Sequence, residues 1–154
     1  RTRSRLRTST ARRRRGRFCT RFMVDLLCVD PKDVSGIWPQ ARLLIKAAID
    51  HTGLSEFSDI ENQVLAGDQL LWLAISDHIE AAATTKLIKT GERKICILVA
   101  CSGSQRERWF SLLAQIETYA RNEGCKCVRI YGRKGWERVL SGYRVEHVIL
   151  ERAL

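Results

Sequence analysis

Residues 94–122 read KICILVACSGSQRERWFSLLAQIETYARN. The opening KICILVA is almost wholly apolar, as in a strand buried on both faces. Cys101-Ser102-Gly103-Ser104 is a run of small residues and reads as a loop. From Gln105 to Asn122 the period changes. Trp109, Leu112, Leu113, Ile116, Tyr119 and Ala120 recur at helical spacing, and Gly124 suits the helix C-cap. A buried strand passing through a short loop into a long helix is a building unit of α/β architecture.

Upstream, QLLWLAI at 69–75 and IEAAATTKLI at 79–88 flank the turn Asp77-His78 and predict an antiparallel hairpin; Gly91-Glu92 then leads into KICILVA. Three successive strands therefore form a meander. Residues 24–29 (VDLLCV), closed by Asp30-Pro31, predict an earlier strand. A helix follows, with Ser35 as its cap, a start near Gly36, Pro39 in the first turn and HTG at 51–53 as its end. Ser58 and Glu61 have capping-box spacing at the start of a shorter helix, which Gly67-Asp68 stops. Downstream, CKCVRIY at 125–131 predicts a strand, 136–140 a short helix, and VEHVIL at 145–150 a last strand. The order is β-α-α-β-β-β-α-β-α-β. The predicted class is α/β (α+β): a mixed, mainly antiparallel sheet of about six strands with helices on both faces.

This order resembles the GNAT (N-acetyltransferase) superfamily over nearly all of residues 23–154, near GNAT-like proteins of proteobacterial and phage genomes. The strand-to-helix junction after Ala100 carries the likeness, with RNEGCKCVRIYG, similar to the usual helix end and next strand, and LSGYRVEHVIL, similar to a common "LGF" ending. The resemblance implies acetyl-CoA as cofactor, its pyrophosphate held by main-chain amides and the positive start of the helix. The positions implied are Val99, Ala100, Cys101, Gly103, Ser104, Gln105, Arg106 and Arg108. An acceptor amine, on a small molecule or a protein, would attack the thioester directly. Glu80 is the implied base, and Tyr131 or Tyr143 the implied acid. Two departures stand out. Gln105 occupies the place of a second Gly or an Ala in the family's Q/R-x-x-G-x-G/A, and Arg138 occupies the place of its helix Tyr. They leave a catalytically inactive GNAT-like binding module, of phage or mobile-element association, as the alternative.

Charge is distributed unevenly. Residues 1–22 hold ten of the 27 Lys and Arg and no acid; the remaining 17 match the chain's 17 Asp and Glu. This segment has too few apolar residues to build a core and is expected to be disordered. It reads as upstream read-through with Met23 as the true start, as an organelle transit peptide, or as an arm binding nucleic acid; the first is preferred. Residues 23–154 form the single domain. No apolar run reaches the length of a membrane span, and a cytoplasmic location without membrane partners is expected. A homodimer is left open.

The remaining polar and aromatic positions have plainer readings. The six Cys include no CxxC, and no metal site is expected. Cys101 precedes a helix start, where a thiol pKa can fall, but His51, His78 and His147 share no evident site with it. Trp38, Trp72, Trp109 and Trp136 read as packing residues, with Trp109 also near the cofactor loop. Thr84 and Thr85 either line the cleft or pack in the sheet. Arg129, Arg133, Lys134 and Arg138 form a basic cluster, solvated or facing a nucleotide phosphate.

Overall fold

Alternation along the central strands divides their side chains between two helical layers. The computed structural model describes residues 23–154, so the reading of 1–22 lies outside the described residues. The strands are β1 (Asp25–Cys28), β2 (Leu70–Ile75), β3 (Ile79–Thr90), β4 (Arg93–Gly103) and β5 (Cys127–Ile130). They form one sheet in sequential order. The first three pairings are antiparallel, and β4–β5 is parallel. The parallel step follows from the long helical connection between those two strands.

Leu71, Leu73, Ala82, Ile95 and Ile97 face helices α1 (Val34–Thr52) and α2 (Phe57–Ala66), meeting Trp38, Ala41, Ile45, Ile60 and Val64. Trp72, Ala83 and Leu98 face the other way, onto Leu113 and Ile116 of α4 (Leu113–Asn122). Helices thus cover both faces of a mixed, mainly antiparallel sheet. On the α4 face, Trp72 Nε1 donates to Thr85 Oγ1 at 2.9 Å, and Tyr119 meets the Trp72 ring edge-on at 5.2 Å.

Several local expectations are corrected. Among the described residues the sheet has five strands. Residues 145–150 form no strand and lie exposed, Val148 at 74% and Leu150 at 90%. Apolar character alone does not make a strand where no ladder partner is offered. The helix expected over Gln105–Asn122 is broken into α3 (Arg106–Trp109), a 3₁₀ turn (Phe110–Leu112) and α4, and the short helix at 136–140 is a 3₁₀ turn (Lys134–Arg138). No capping box forms at α2, whose N-cap is Glu56. Glu61 instead accepts a 2.6 Å bond from Trp38 Nε1 and pairs with Arg42 at 3.4 Å, tying α2 to α1. Likewise α1 starts at Val34 after Asp33, so Ser35 is inside the helix. No described helix is long and apolar enough to cross a membrane.

Candidate active site

The site arises where two strands part. The β4–β5 ladder runs from Ile95–Cys127 to Leu98–Ile130, and a final bond joins the Tyr131 N–H to the Leu98 carbonyl at 3.0 Å. Beyond that point the chain leaves β5 through Tyr131, Gly132 and Arg133 into the 3₁₀ turn. Strand β4 continues to Gly103, still paired with β3 on its other side. Among the described residues no strand pairs with the free edge of β4 after Leu98, so main-chain groups on that edge are open to a ligand. A bulge falls at the same place. Thr84 pairs with Ala100 and Thr85 with Leu98, which leaves Val99 without a register partner on either neighbouring strand.

The opening forms a cleft of about 510 Å³, within the range of small-molecule sites. Residues 98–103 of β4 line one side, and Tyr131, Gly132, Arg133, Trp136 and Val139 the other. Arg106 and Trp109 border it from α3, and Ala48, His51 and Thr52 from the end of α1. Trp109 is buried and fixed by a 2.7 Å bond from its Nε1 to the Ser104 carbonyl. Arg106 lies over the Phe110 ring at 5.7 Å. The described lining includes no Asp or Glu; its charged side chains are Arg106 and Arg133. Among the described residues no three His, Cys, Asp or Glu gather as a metal site.

The residues singled out from sequence divide into two groups. Val99, Ala100, Cys101, Gly103, Arg106 and Tyr131 line the cleft; Glu80, Ser104, Gln105, Arg108 and Tyr143 do not. Glu80, the base that the resemblance implies, is sealed away from the cleft. Its side chain is 1% exposed, and Oε1 accepts from Ser76 at 2.6 Å and lies 2.7 Å from Arg108. The pair ties α3 to β3. The Ser104 N–H is engaged with the Glu80 carbonyl at 3.1 Å. Gln105 has φ +47°, a left-handed conformation that costs a side-chain-bearing residue about 1–2 kcal/mol. Tyr143 donates to Glu117 at 2.9 Å, and burial followed by that bond pushes its phenol well above the ordinary value.

Two positions have different roles from those their sequence context suggests. A Cβ on Gly103 would lie 2.4 Å from Ala81 Cβ and 2.6 Å from the Glu80 carbonyl oxygen, so glycine is required there by strand packing. Burial pushes the Cys101 thiol up to about 12, the opposite of activation by a helix start. Thr84 and Thr85 are buried in the sheet, outside the cleft. Of the basic cluster, Arg133 lines the cleft, and Arg129 and Arg138 do not.

Sequence reasoning missed the contribution of α1. Gly53, with φ +63°, stops this helix so that Ala48, His51 and Thr52 border the opening. They lie some fifty residues from Val99 in the chain, and no local motif links them.

No protein-family model matches the sequence, and the curated proteins contain no match. Solved structures do match. An aminoglycoside acetyltransferase from an uncultured soil metagenomic sample, in complex with sisomicin, superposes with a TM-score of 0.65 at 11% identity, covering 86% of this chain and 96% of that one. The fold is that of the GNAT acetyltransferases. A GNAT family acetyltransferase of Staphylococcus aureus gives 0.57 at 14% identity, with 86% and 99% covered. A predicted acetyltransferase of Clostridium acetobutylicum, crystallised with acetyl-CoA, gives 0.59 at 14% identity, with 85% and 96% covered. In this GNAT fold, the parted strands and the cleft are the features that bear on chemistry.

Proposed function

We propose that this chain is an acyl-CoA-dependent N-acyltransferase that moves acetyl from acetyl-CoA to an amine on a small molecule or a protein. The observation that supports it most is the opening of the sheet at Leu98, with the bulge at Val99 set above a cleft of about 510 Å³. The residues present fit the cofactor. An open strand edge suits an extended amide chain, which can pair with it as a strand would. Arg106 and Arg133 suit its phosphates. Trp109, Trp136 and Val139 supply apolar wall.

Acetyl-CoA, when bound, supplies an acyl thioester for direct transfer. The chain's own part is to bind and orient it and to move protons. Residues 98–103 fix the acyl end against the bulge, where holding reactants in register contributes much of the rate. Tyr131 borders the same space and is the acid for the departing sulfur. Ser104 and Arg108 support the site through the Trp109 bond and the Glu80 pair. The cationic lining opposes an acceptor carrying many positive charges and favours one whose ammonium is offset by negative charge elsewhere in the molecule.

Calorimetric titration with acetyl-CoA tests the reading. Micromolar to low-millimolar affinity that weakens with Arg106→Ala is expected; no binding at millimolar ligand overturns it. A second reading, a GNAT-like module without catalysis, is favoured by the strained Gln105 and by Arg138 in place of the family's Tyr. It predicts acetyl-CoA binding with no CoA release above the uncatalysed rate.

A further inference from the structure

Transfer from a thioester to an amine needs a proton acceptor beside the acyl group, because an ammonium nitrogen has no lone pair. The carboxylates do not meet that need. No Asp or Glu is among the described residues lining the cleft, and Glu80 is buried, with its Oε1 held between Ser76 and Arg108. The titratable lining groups are His51, Cys101, Arg106, Tyr131 and Arg133. Neither guanidinium has an acceptor atom, and burial pushes the Cys101 thiol up to about 12, so that it holds its proton. The Tyr131 phenol is the group already assigned to the departing sulfur. His51 is left, an exposed imidazole in the last turn of α1. With Ala48 and Thr52 it reaches the opening from the helical layer that packs on Ile95, Ile97 and Val99. Trp109 and Trp136 border the opening from the other side of the parted strands.

We propose that His51 is the general base of this cleft, an inference that rests on the acyltransferase reading above. A neutral ring nitrogen of His51 takes one proton from the ammonium. The freed lone pair forms the N–C bond as the C–S bond breaks, its electron pair leaving with sulfur. Tyr131 gives its hydroxyl proton to that sulfur and recovers the second N–H proton shed as the amide forms. The proton on His51 passes to solvent. The charged groups lining the cleft with it are Arg106 and Arg133; Asp50, next to His51 on α1, is outside the lining and pairs with Lys46 at 2.7 Å.

The test uses the full chain and needs no identified acceptor. Diethyl pyrocarbonate modifies accessible imidazoles, and mass spectrometry separates His51 from His78 and His147. Acetyl-CoA is expected to protect His51 at least tenfold, and adenosine 3′,5′-bisphosphate, which lacks the acyl arm, not to protect it. Slow release of CoA from acetyl-CoA to water gives the second readout. Its rate is expected to fall with falling pH, as for a reaction that needs an unprotonated base. His51→Gln should reduce it 100-fold or more and flatten that limb, with calorimetric acetyl-CoA affinity unchanged, while Glu80→Gln keeps the limb. Acetyl-CoA binding without His51 protection, or an unchanged pH profile in His51→Gln, overturns the proposal alone. Absence of acetyl-CoA binding overturns the acyltransferase reading beneath it.

Discussion

Replacing Gly103 by alanine tests whether this glycine serves the sheet or a ligand. The added Cβ would stand 2.4 Å from Ala81 Cβ, 2.6 Å from the Glu80 carbonyl oxygen and 2.7 Å from Ala81 Cα. Two of these three atoms belong to the backbone of β3, so no rotamer change relieves the clash, and the β3–β4 ladder has to open locally. Overpacking of this kind costs about 1–3 kcal/mol. The narrower conformational freedom of alanine in the unfolded chain returns about 0.4–1 kcal/mol. A net loss of about 1–2 kcal/mol is expected, which for a domain of this size lowers Tm by roughly 3–8 °C. Thermal and urea unfolding followed by circular dichroism measures it, with the urea midpoint shifting at constant slope. Gly36→Ala is the internal control. This glycine sits in α1, where an added Cβ would meet nothing within 4 Å, so the same substitution should stabilise by up to about 1 kcal/mol. Ala81→Gly should rescue Gly103→Ala only in part, because the backbone of Glu80 and of residue 81 still crowds the new methyl group. An unchanged or raised Tm in Gly103→Ala would refute the packing argument and return Gly103 to a ligand-facing role.

Arg108→Met leaves the buried Glu80 carboxylate without its cation and should cost about 3–5 kcal/mol by urea denaturation; adding Glu80→Gln should restore part of that, and strict additivity would argue against the pair. Alkaline pH should destabilise the fold. Burial pushes Cys96 to about 11 and Cys101 to about 12 from an ordinary 9.0, and burial followed by the Glu123 charge pushes Tyr119 to about 12 from 10.0. Folded-state values raised this way make a contribution that is complete below pH 9 and lost as pH rises towards 12, so a urea midpoint that stays level from pH 8 to 11 would contradict it. Removing residues 145–154, which lie exposed outside the sheet, should leave Tm within about 2 °C; a larger fall would mean that the segment adds a strand.

Much of the architecture was legible because local pattern and tertiary role coincide. The apolar runs QLLWLAI and IEAAATTKLI, the unbroken KICILVA and the stripe from Trp109 to Ala120 each supply the buried residues that their pattern predicts. Turn chemistry at Asp77-His78 and Gly91 placed the meander, and Gly53 and Gly67 end their helices in left-handed conformations as a glycine allows. Elements whose formation depends on a distant partner were read less well. VEHVIL has strand composition but no described neighbour to pair with, and the capping-box Glu61 is drawn away by Trp38 and Arg42 on another helix. Glu80, the implied base, is drawn into a buried pair with Arg108, far along the chain.

Sequence by itself determined the mixed α and β class, the meander and the buried central strand, because these follow from side-chain periodicity and backbone preference over a few residues. Only the tertiary structure decided where β4 and β5 part, that Gly103 serves strand packing, that Glu80 is sealed away and that His51 borders the cleft. Those are outcomes of register and of close approach between segments distant in sequence, and no short window of sequence encodes either.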